Sequence, residues 1–242
     1  MPRDLGPGDH IDALNARFRG DARGALAHAL SGALGPVALV SSFGAESAVL
    51  LHMAAEIDRR VPVIFLDTQF LFPETLDYQL ELAARLRLSD VRRIQPDRVD
   101  LFLHDPETDL HKTDPDACCA LRKARPLERA LAPFAAWISG RKRFQSATRA
   151  GLEMFERDLA SGKVKINPLA GHGAADLRAY ADRHRLPPHP LVARGFASIG
   201  CAPCTTPVVA GEDARAGRWR GQAKTECGIH VAGGRIVRGS MA

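Results

Sequence analysis

The chain has 242 residues, 45% of them hydrophobic and 25% charged, which suits one globular domain with a substantial core. Lysine and arginine exceed aspartate and glutamate by 33 to 28, a balance of +5 that suits an anionic small molecule or an acidic partner protein. This excess is too weak, and the 6% of aromatic residues too few, to favour nucleic acid. No apolar run is long enough to cross a membrane and residues 1–12 lack a signal-peptide pattern, so we expect a cytoplasmic protein with no membrane partner.

Apolar runs alternate with helical patterns through the first half of the chain. The predicted elements are a helix over 21–34, a strand over 37–40, a helix over 46–57, a strand over 63–66, a helix over 73–88 and a strand over 91–94. Repeated strand–helix units predict an α/β fold with a parallel sheet covered by helices on both faces.

The second half begins with a polar stretch over 97–116 that contains acidic–proline pairs and predicts a loop. The elements predicted after it are a helix over 118–131, strands over 136–139 and 164–168, and a helix over 174–184. Beyond the last cysteine pair the chain is rich in Gly, Arg and Ala and has few apolar anchors. We therefore divide the chain into an α/β domain over 1–205 and a mobile C-terminal tail over 206–242.

Small and polar residues follow the first predicted strand, in the turn Ser41-Ser42-Phe43-Gly44-Ala45-Glu46-Ser47. A small-residue turn between a strand and a helix directs backbone N–H groups toward an anion, so it predicts a phosphate or sulfate cradle. An ordinary turn of an α/β fold is the plain alternative. The spacing is not that of a Walker A loop.

Four of the five cysteines form two compact pairs, the adjacent Cys118 and Cys119 and the C-x-x-C of Cys201 and Cys204. Such pairs predict a thiolate metal site, which zinc or an iron–sulfur cluster would fit. Two adjacent ligands strain the backbone around a single tetrahedral ion, whereas a cubane offers each cysteine its own iron. The spacing therefore favours the cluster slightly.

The fifth cysteine, Cys227, has polar neighbours that include Lys224 and His230. These neighbours favour an exposed thiolate over a buried thiol, and predict a nucleophile. Because no second cysteine accompanies it, any reduction that it starts needs an external thiol to finish.

Two basic groups remain, one around Arg141 to Arg143 with Arg149, and one formed by Arg215 and Arg218. Guanidinium groups can clamp phosphate or sulfate oxygens, although charge runs of this kind are more often solvated surface.

Taken together, these stretches resemble the assimilatory sulfonucleotide reductases, in particular the adenylyl-sulfate reductase branch with an iron–sulfur cluster. The resemblance covers roughly residues 37–230. The motifs that carry it include Ser42-Phe43-Gly44-Ala45-Glu46, Phe72-Pro73-Glu74-Thr75, Cys118-Cys119-x-x-Arg122-Lys123, Gly200-Cys201-Ala202-Pro203-Cys204-Thr205, Arg215-Ala216-Gly217-Arg218-Trp219 and Glu226-Cys227-Gly228-Ile229-His230.

The resemblance implies an adenine nucleotide α-hydrolase-like fold, with 1–205 as the nucleotide-binding reductase domain. It implies a 4Fe–4S cluster on Cys118, Cys119, Cys201 and Cys204, and Cys227 as the nucleophile. The substrate-binding residues that it implies are Ser41, Ser42, Phe43, Gly44, Lys123, Arg149, Arg215 and Arg218.

The activity implied is the reduction of adenosine 5′-phosphosulfate to sulfite and AMP through an S-sulfocysteine, in sulfate assimilation and cysteine biosynthesis. Thioredoxin or a similar dithiol would supply the electrons, and the resemblance leaves a homo-oligomer open. The sister branch uses the 3′-phosphorylated substrate and lacks the four cluster cysteines, so their presence here favours the unphosphorylated one.

The chain departs from the family's habit in four places. Gln69 replaces the usual glycine after Asp67-Thr68, no aromatic residue follows at 171–173, and the segments before Arg149 and Cys227 are short. The alternatives are a 3′-phosphoadenylyl-sulfate reductase, an ATP pyrophosphatase that uses the same loop, and a non-catalytic zinc or cluster protein. None of the departures removes a cluster ligand or the nucleophile.

Overall fold

The structure, a computed structural model, describes residues 7–222 together with Lys224 and Glu226. Its strands are β1 Val37–Ser41, β2 Val63–Leu66, β3 Val91–Ile94, β4 Ala136–Ser139, β5 Phe155–Arg157 and β6 Val164–Ile166. Its α-helices are α1 Pro7–Arg17, α2 Ala22–Leu30, α3 Ser47–Ile57, α4 Pro73–Leu86, α5 Arg98–His104, α6 Leu110–Thr113, α7 Pro115–Cys119, α8 Arg125–Leu131 and α9 Ala174–Arg183, and a π-helical segment, Ala120–Ala124, joins α7 to α8.

Over the described residues the strands form one sheet in the order β3-β2-β1-β4-β6-β5. All neighbouring pairs are parallel except β5 with β6. The chain runs from β1 outward to β3 and then returns to place β4 on the other side of β1, so the order reverses between β1 and β4. In open parallel sheets, ligands bind at the carboxyl ends of the strands beside such a reversal.

The central strands are apolar on both faces. In β1, Leu39 packs into the larger core cluster, whereas Ala38 joins the smaller cluster on the opposite face with Ile64 and Trp137. Alternate residues of a strand point to opposite faces, so helices must cover both sides. The predicted α/β fold with a mainly parallel sheet is therefore confirmed.

The first helix, α1, was not predicted. It packs Leu14 into the core beside α2 and the edge strand β5. The side-chain amide of Asn15 donates to the Phe155 carbonyl at 2.9 Å and accepts from the Phe155 N–H at 2.8 Å. One side chain thus satisfies both backbone groups of an edge residue, as a neighbouring strand would.

The stretch 97–116 is not the continuous loop that its composition predicts, because α5 and α6 lie within it and α7 begins there. Asp97 accepts hydrogen bonds from the N–H groups of Val99 and Asp100, and Asp114 does the same for two residues at the start of α7. The acidic residues that indicated a loop are therefore helix N-caps, a position that favours aspartate.

Residues 206–222, which we assigned to a separate tail, pack against the sheet domain. The Trp219 N–H donates to the Cys204 carbonyl at 3.0 Å, and Thr206 bonds to the Gly217 carbonyl at 2.8 Å. The Trp219 ring is 3% exposed and lies under the guanidinium of Arg218. The packing of Arg218 on Trp219 thus anchors this segment to the domain. The prediction of a separate tail considered only the small number of aliphatic residues and missed this contact. None of the helices in the described part of the chain is both long and apolar enough to span a bilayer.

Candidate active site

A cleft opens at the carboxyl ends of β1 and β4, where the strand order reverses. Its floor includes Ser41 and Ser139, the last residues of these two strands. The segment 197–201 forms one wall, and cationic side chains from several loops form the rim. The cleft holds about 1460 Å³ of empty space, part of it open to solvent.

The turn that follows β1 is shaped by its own hydrogen bonds. The Ser41 hydroxyl accepts from the Phe43 N–H at 3.1 Å, and Phe43 takes a left-handed φ of 48°. Ser41, Ser42 and Gly44 line the cleft, whereas the Phe43 ring is fully buried against Phe65 in the core. A Cβ at Gly44 would lie 3.4 Å from the Ile199 carbonyl, so the turn passes close to the opposite wall. Of the predicted turn residues, Phe43 therefore contributes backbone shape and core packing.

An ion pair between a buried lysine and a half-buried glutamate fixes the far end of this turn. Glu46 accepts a hydrogen bond from the Lys142 ammonium at 2.7 Å and from the Gln145 side-chain amide at 3.1 Å. Lys142 is 4% exposed, and burial lowers its pKa although Glu46 opposes that shift. The ion pair between Glu46 and Lys142 was not predicted, because the two residues are 96 positions apart in the sequence.

All four cationic residues predicted to bind substrate, Lys123, Arg149, Arg215 and Arg218, line this cleft. They reach it from the π-helical segment, from the turn before β5 and from the C-terminal segment. Arg149 is only 6% exposed and its guanidinium also donates to Gln145. Buried or partly buried guanidinium groups of this kind are strong ligands for phosphate and sulfate oxygens.

Glu226 meets two of these cations. Its carboxylate accepts from Arg149 Nε and Nη2, both at 2.6 Å, and from Arg215 Nη2 at 3.4 Å. Burial would raise the pKa of Glu226, but the hydrogen bonds and charge of Arg149 outweigh it and lower the pKa. The predicted nucleophile, Cys227, lies outside the described residues, and Glu226 is its immediate neighbour in the chain.

Beside the cleft, the two cysteine pairs come together. Cys118 and Cys119 end α7, and Cys201 and Cys204 flank a short 3₁₀ turn, Ala202–Cys204. Burial raises the pKa of Cys118 to about 12, and the neighbouring Cys119, Cys201 and Cys204 contribute to that rise. Burial also raises the pKa of Cys204, with Cys201 adding to it. Four such thiols ionise together only if a cationic group compensates their charge, which is the chemistry of a thiolate metal site.

The donor chemistry of the four cysteines fits a thiolate metal site. Four thiolates can hold one zinc ion or the irons of one iron–sulfur cluster. Both kinds of metal site that the sequence predicts are therefore compatible with these residues.

Cys201 belongs to the group of four cysteines and also lines the cleft. Burial would raise its pKa, but Lys123, the hydroxyl of Thr68 and Arg218 together lower it. Thr68 Oγ1 lies 3.2 Å from the Cys201 sulfur, and Lys123 hydrogen-bonds to the same sulfur. Lys123 thus contacts the cysteine site and lines the cleft at once.

The π-helical segment explains how the adjacent residues Arg122 and Lys123 point in different directions, one into the protein and one toward the cleft. There the Arg125 N–H bonds to the Ala120 carbonyl, five residues back, which widens the helix. Arg122 in this turn is 3% exposed, donates to Asp105 at 2.6 Å and to the Thr68 carbonyl at 3.2 Å, and stacks on Phe70. Arg122 therefore braces the inside of the segment while Lys123 reaches the cleft. Because π and α turns use the same residue types, sequence patterns did not reveal the segment.

The comparisons with known proteins agree on the family. The family model of the phosphoadenosine phosphosulfate reductase domain matches residues 36–207. A protein of Mesorhizobium japonicum named adenosine 5′-phosphosulfate reductase is 55% identical over 81% of this chain and 77% of its own length. A protein of Gloeobacter violaceus named phosphoadenosine 5′-phosphosulfate reductase is 45% identical over 80% of this chain and 81% of its own.

Among solved structures, the phosphoadenylyl-sulfate reductase of Candida auris in a phosphate complex matches with a TM-score of 0.73 and 27% identity. The match covers 84% of this chain and 98% of that one. It confirms the predicted adenine nucleotide α-hydrolase-like fold. The chain therefore belongs to the phosphoadenosine phosphosulfate reductase domain family.

Proposed function

We propose that this protein is an oxidoreductase that converts adenosine 5′-phosphosulfate to sulfite and AMP in cytoplasmic sulfate assimilation, on the way to cysteine. The observation that carries the proposal is the cleft itself, where Lys123, Arg149, Arg215 and Arg218 face the turn after β1 beside four converging thiols. A relative at 55% identity named for this activity supports the same substrate.

The substrate is bound by polar groups of the turn after β1 and by cationic side chains around the cleft. The turn Ser41–Ser47 offers hydroxyl and backbone N–H groups to the anionic part of the nucleotide. The four cations surround the phosphosulfate, and their partly buried setting strengthens each contact relative to water. The adenosine lies along the carboxyl ends of the strands, as the reversal between β1 and β4 favours.

In the first chemical step, the Cys227 thiolate attacks the sulfur of the phosphosulfate. A sulfur–sulfur bond forms while the bond from sulfur to the bridging oxygen breaks, and that oxygen leaves with the electron pair as part of AMP. Lys123, Arg215 and Arg218 stabilise the negative charge that develops on the phosphate side. The protein then carries an S-sulfocysteine.

In the second step, a thiolate of thioredoxin or a similar dithiol attacks the Cys227 sulfur and displaces sulfite with its electron pair. The second thiol of that dithiol resolves the mixed disulfide and returns Cys227 as a thiolate. The dithiol supplies both electrons, and its oxidised disulfide is the only other product.

Cys118, Cys119, Cys201 and Cys204 would hold a 4Fe–4S cluster, a group that their donor chemistry fits and that gives the adjacent Cys118 and Cys119 an iron each. When bound, this cluster would compensate the thiolate charges and tie α7 to the turn at Ala202–Cys204. With α7 and this turn held together, Lys123 and Cys201 would stay at the edge of the cleft.

Sulfite release by the anaerobically purified protein with thioredoxin, offered each sulfonucleotide separately, tests the proposal. We expect a strong preference for adenosine 5′-phosphosulfate. Preference for the 3′-phosphorylated form would instead favour the activity for which the Gloeobacter violaceus relative is named. Sulfite from neither nucleotide would overturn the proposal, and pyrophosphate release from ATP would then favour a pyrophosphatase.

Replacement of the nucleophile tests the covalent step. The variant Cys227→Ser should bind AMP as the wild type does and release no sulfite. Mass spectrometry of the wild type without dithiol should show one added SO₃ on the peptide that contains Cys227. Sulfite release by Cys227→Ser would contradict the scheme.

A further inference from the structure

A second group of side chains that can bind a metal converges between α3 and the end of α9, away from the turn that faces the cleft. His52 and Glu56 are one helical turn apart on α3, and His184 follows the last residue of α9. One ligand atom from each of the three lies within 4.8 Å of the other two. None of them lines the substrate cleft.

The chemistry of the three side chains selects a class of ion. Two imidazole nitrogens and one carboxylate form a donor set that zinc uses when a fourth position is left to water. Calcium and magnesium prefer oxygen ligands throughout, so this set suits them poorly. Atoms bound to one zinc ion at about 2.0–2.1 Å lie roughly 3.4 Å apart. This separation falls inside the 4.8 Å within which the three ligand atoms already lie.

A fourth residue orients one of the imidazoles. The hydroxyl of Tyr180 on α9 lies 2.9 Å from His52 Nδ1. With the proton on Nδ1, the ring donates to this hydroxyl and turns the lone pair of Nε2 outward, which is how outer partners fix a metal-binding histidine.

The surroundings offer access from solvent and also carry several cations. A shallow groove beside the group is lined by His52, Glu56 and the three arginines Arg59, Arg85 and Arg87. Arg23 of α2 donates to Glu56 at 3.1 Å, through a guanidinium that is 67% exposed. Exposed ion pairs of this kind contribute little to stability, so the pair is a weak obstacle to coordination.

We propose that His52, Glu56 and His184 form a second metal site, which binds a zinc-type divalent transition ion with water in the fourth position. The site joins α3, whose first residue lines the substrate cleft, to α9 on the same side of the sheet. A bound ion therefore stabilises the packing of these two helices. This proposal is independent of the proposed function and of the cysteine site.

Zinc binding to the anaerobically purified holoenzyme provides the test, with bound zinc and iron counted by mass spectrometry after equilibrium dialysis. We expect one zinc per chain at unchanged iron content, and a rise in the melting temperature with added zinc. Glu56→Gln and His184→Asn should each weaken zinc binding by more than the ~10–100-fold that loss of an outer-shell partner costs. Bound cobalt should show weak visible bands with no sulfur-to-cobalt charge transfer.

Arg23→Met is the matched control, because it removes the competing cation and keeps all three ligands. It should bind zinc at least as tightly as the wild type. The proposal is overturned if the wild type binds no zinc, if Glu56→Gln and His184→Asn bind zinc as the wild type does, or if Arg23→Met loses binding as they do. A sulfur-to-cobalt band that survives in all variants would assign the ion to the cysteines.

Discussion

Arg149 and Glu226 form a two-pronged ion pair, with Arg149 Nε and Nη2 each 2.6 Å from one carboxylate oxygen of Glu226. The residue before the proposed nucleophile is thus attached to a cation that the proposed substrate also needs. Arg149 is 6% exposed, so the pair lies largely out of water. A carboxylate in this position resembles the anionic group of a substrate in charge and in its use of the guanidinium fork.

Replacement of Glu226 by Gln should therefore separate binding from turnover. The substitution removes the charge that occupies Arg149, so AMP and the sulfonucleotide should bind more tightly. It also removes the anchor next to Cys227, so sulfite release should slow by about tenfold, which corresponds to ~1.4 kcal/mol in the activation free energy. Calorimetric titration with AMP and steady-state sulfite assays measure the two effects.

Glu212→Gln serves as the control for this change, because Glu212 pairs with Arg220 at the surface at 2.8 Å. It should alter neither quantity. If Glu226→Gln also leaves the affinity for AMP and the rate of sulfite release unchanged, then Glu226 neither competes with substrate nor positions Cys227.

Lys123→Ala should lower the rate of sulfite release with the iron content unchanged. Lys123 both lines the cleft and bonds to Cys201, and we assign it charge stabilisation in the step that expels AMP. Loss of one preorganised donor of this kind costs about 10²–10³ in rate. The exposed Lys112→Ala should behave as the wild type. Loss of iron in Lys123→Ala would show that this lysine chiefly holds the cysteine site together.

Asp105→Asn should destabilise the protein much more than Asp100→Asn. The Asp105–Arg122 pair spans 2.6 Å and both side chains are at most 3% exposed, whereas Asp100 is 32% exposed and 3.6 Å from Arg129. Removal of one partner leaves a buried charge uncompensated, at a cost of about 3–5 kcal/mol, while exposed pairs are worth about 0–1 kcal/mol. Urea unfolding of the two variants compares them; equal losses would mean that Arg122 finds other partners.

His189 should make the stability depend on pH. Its ring is 1% exposed, Nδ1 accepts from the Leu191 N–H at 3.1 Å, and Nε2 therefore donates to the Thr75 hydroxyl at 3.0 Å. Burial lowers the pKa of His189 to about 4 from an ordinary 6.5. Protonation in the folded state would break the bond at Nδ1.

The sign follows from the two pKa values. Above pH 6.5 both states are neutral at His189, and the full contribution to stability is present. As the pH falls from 6.5 toward 4, the unfolded chain takes up a proton that the folded chain refuses, so up to about 3 kcal/mol is lost. Unfolding free energies of the wild type and of His189→Asn should converge over this range. A constant difference would contradict the depressed pKa.

The strands were predicted closely where buried runs end at turns. Strands 63–66 and 136–139 have the predicted bounds because each is a short buried run between turn signals, and 91–94 has them because it continues the strand–helix alternation. The edge strand β5, Phe155–Arg157, was missed because three residues are too few to show a period. Its antiparallel direction depends on the turn before β6, which has no apolar pattern.

At the site, the sequence predicted which residues line the cleft, but it did not predict the long-range contacts that position them. Lys123, Arg149, Arg215 and Arg218 were selected from motifs, and the fold places all four at one cleft. The contacts that position them, such as Glu226 with Arg149 and Lys142 with Glu46, join residues 77 and 96 apart. Such pairs depend on where the sheet brings distant loops, which composition and spacing do not encode locally.

The hydrogen bonds from Asn15 to Phe155 have a consequence for the behaviour of the protein in a crowded solution. An uncovered edge strand is a template on which another chain can add a strand and start aggregation. Asn15 occupies both backbone groups of Phe155, and the opposite edge, β3, carries Arg92 and Arg93. The two ends of the sheet are thus protected by different means, an amide that mimics a strand at one and charged side chains at the other. Loss of α1 would leave the first end open to self-association.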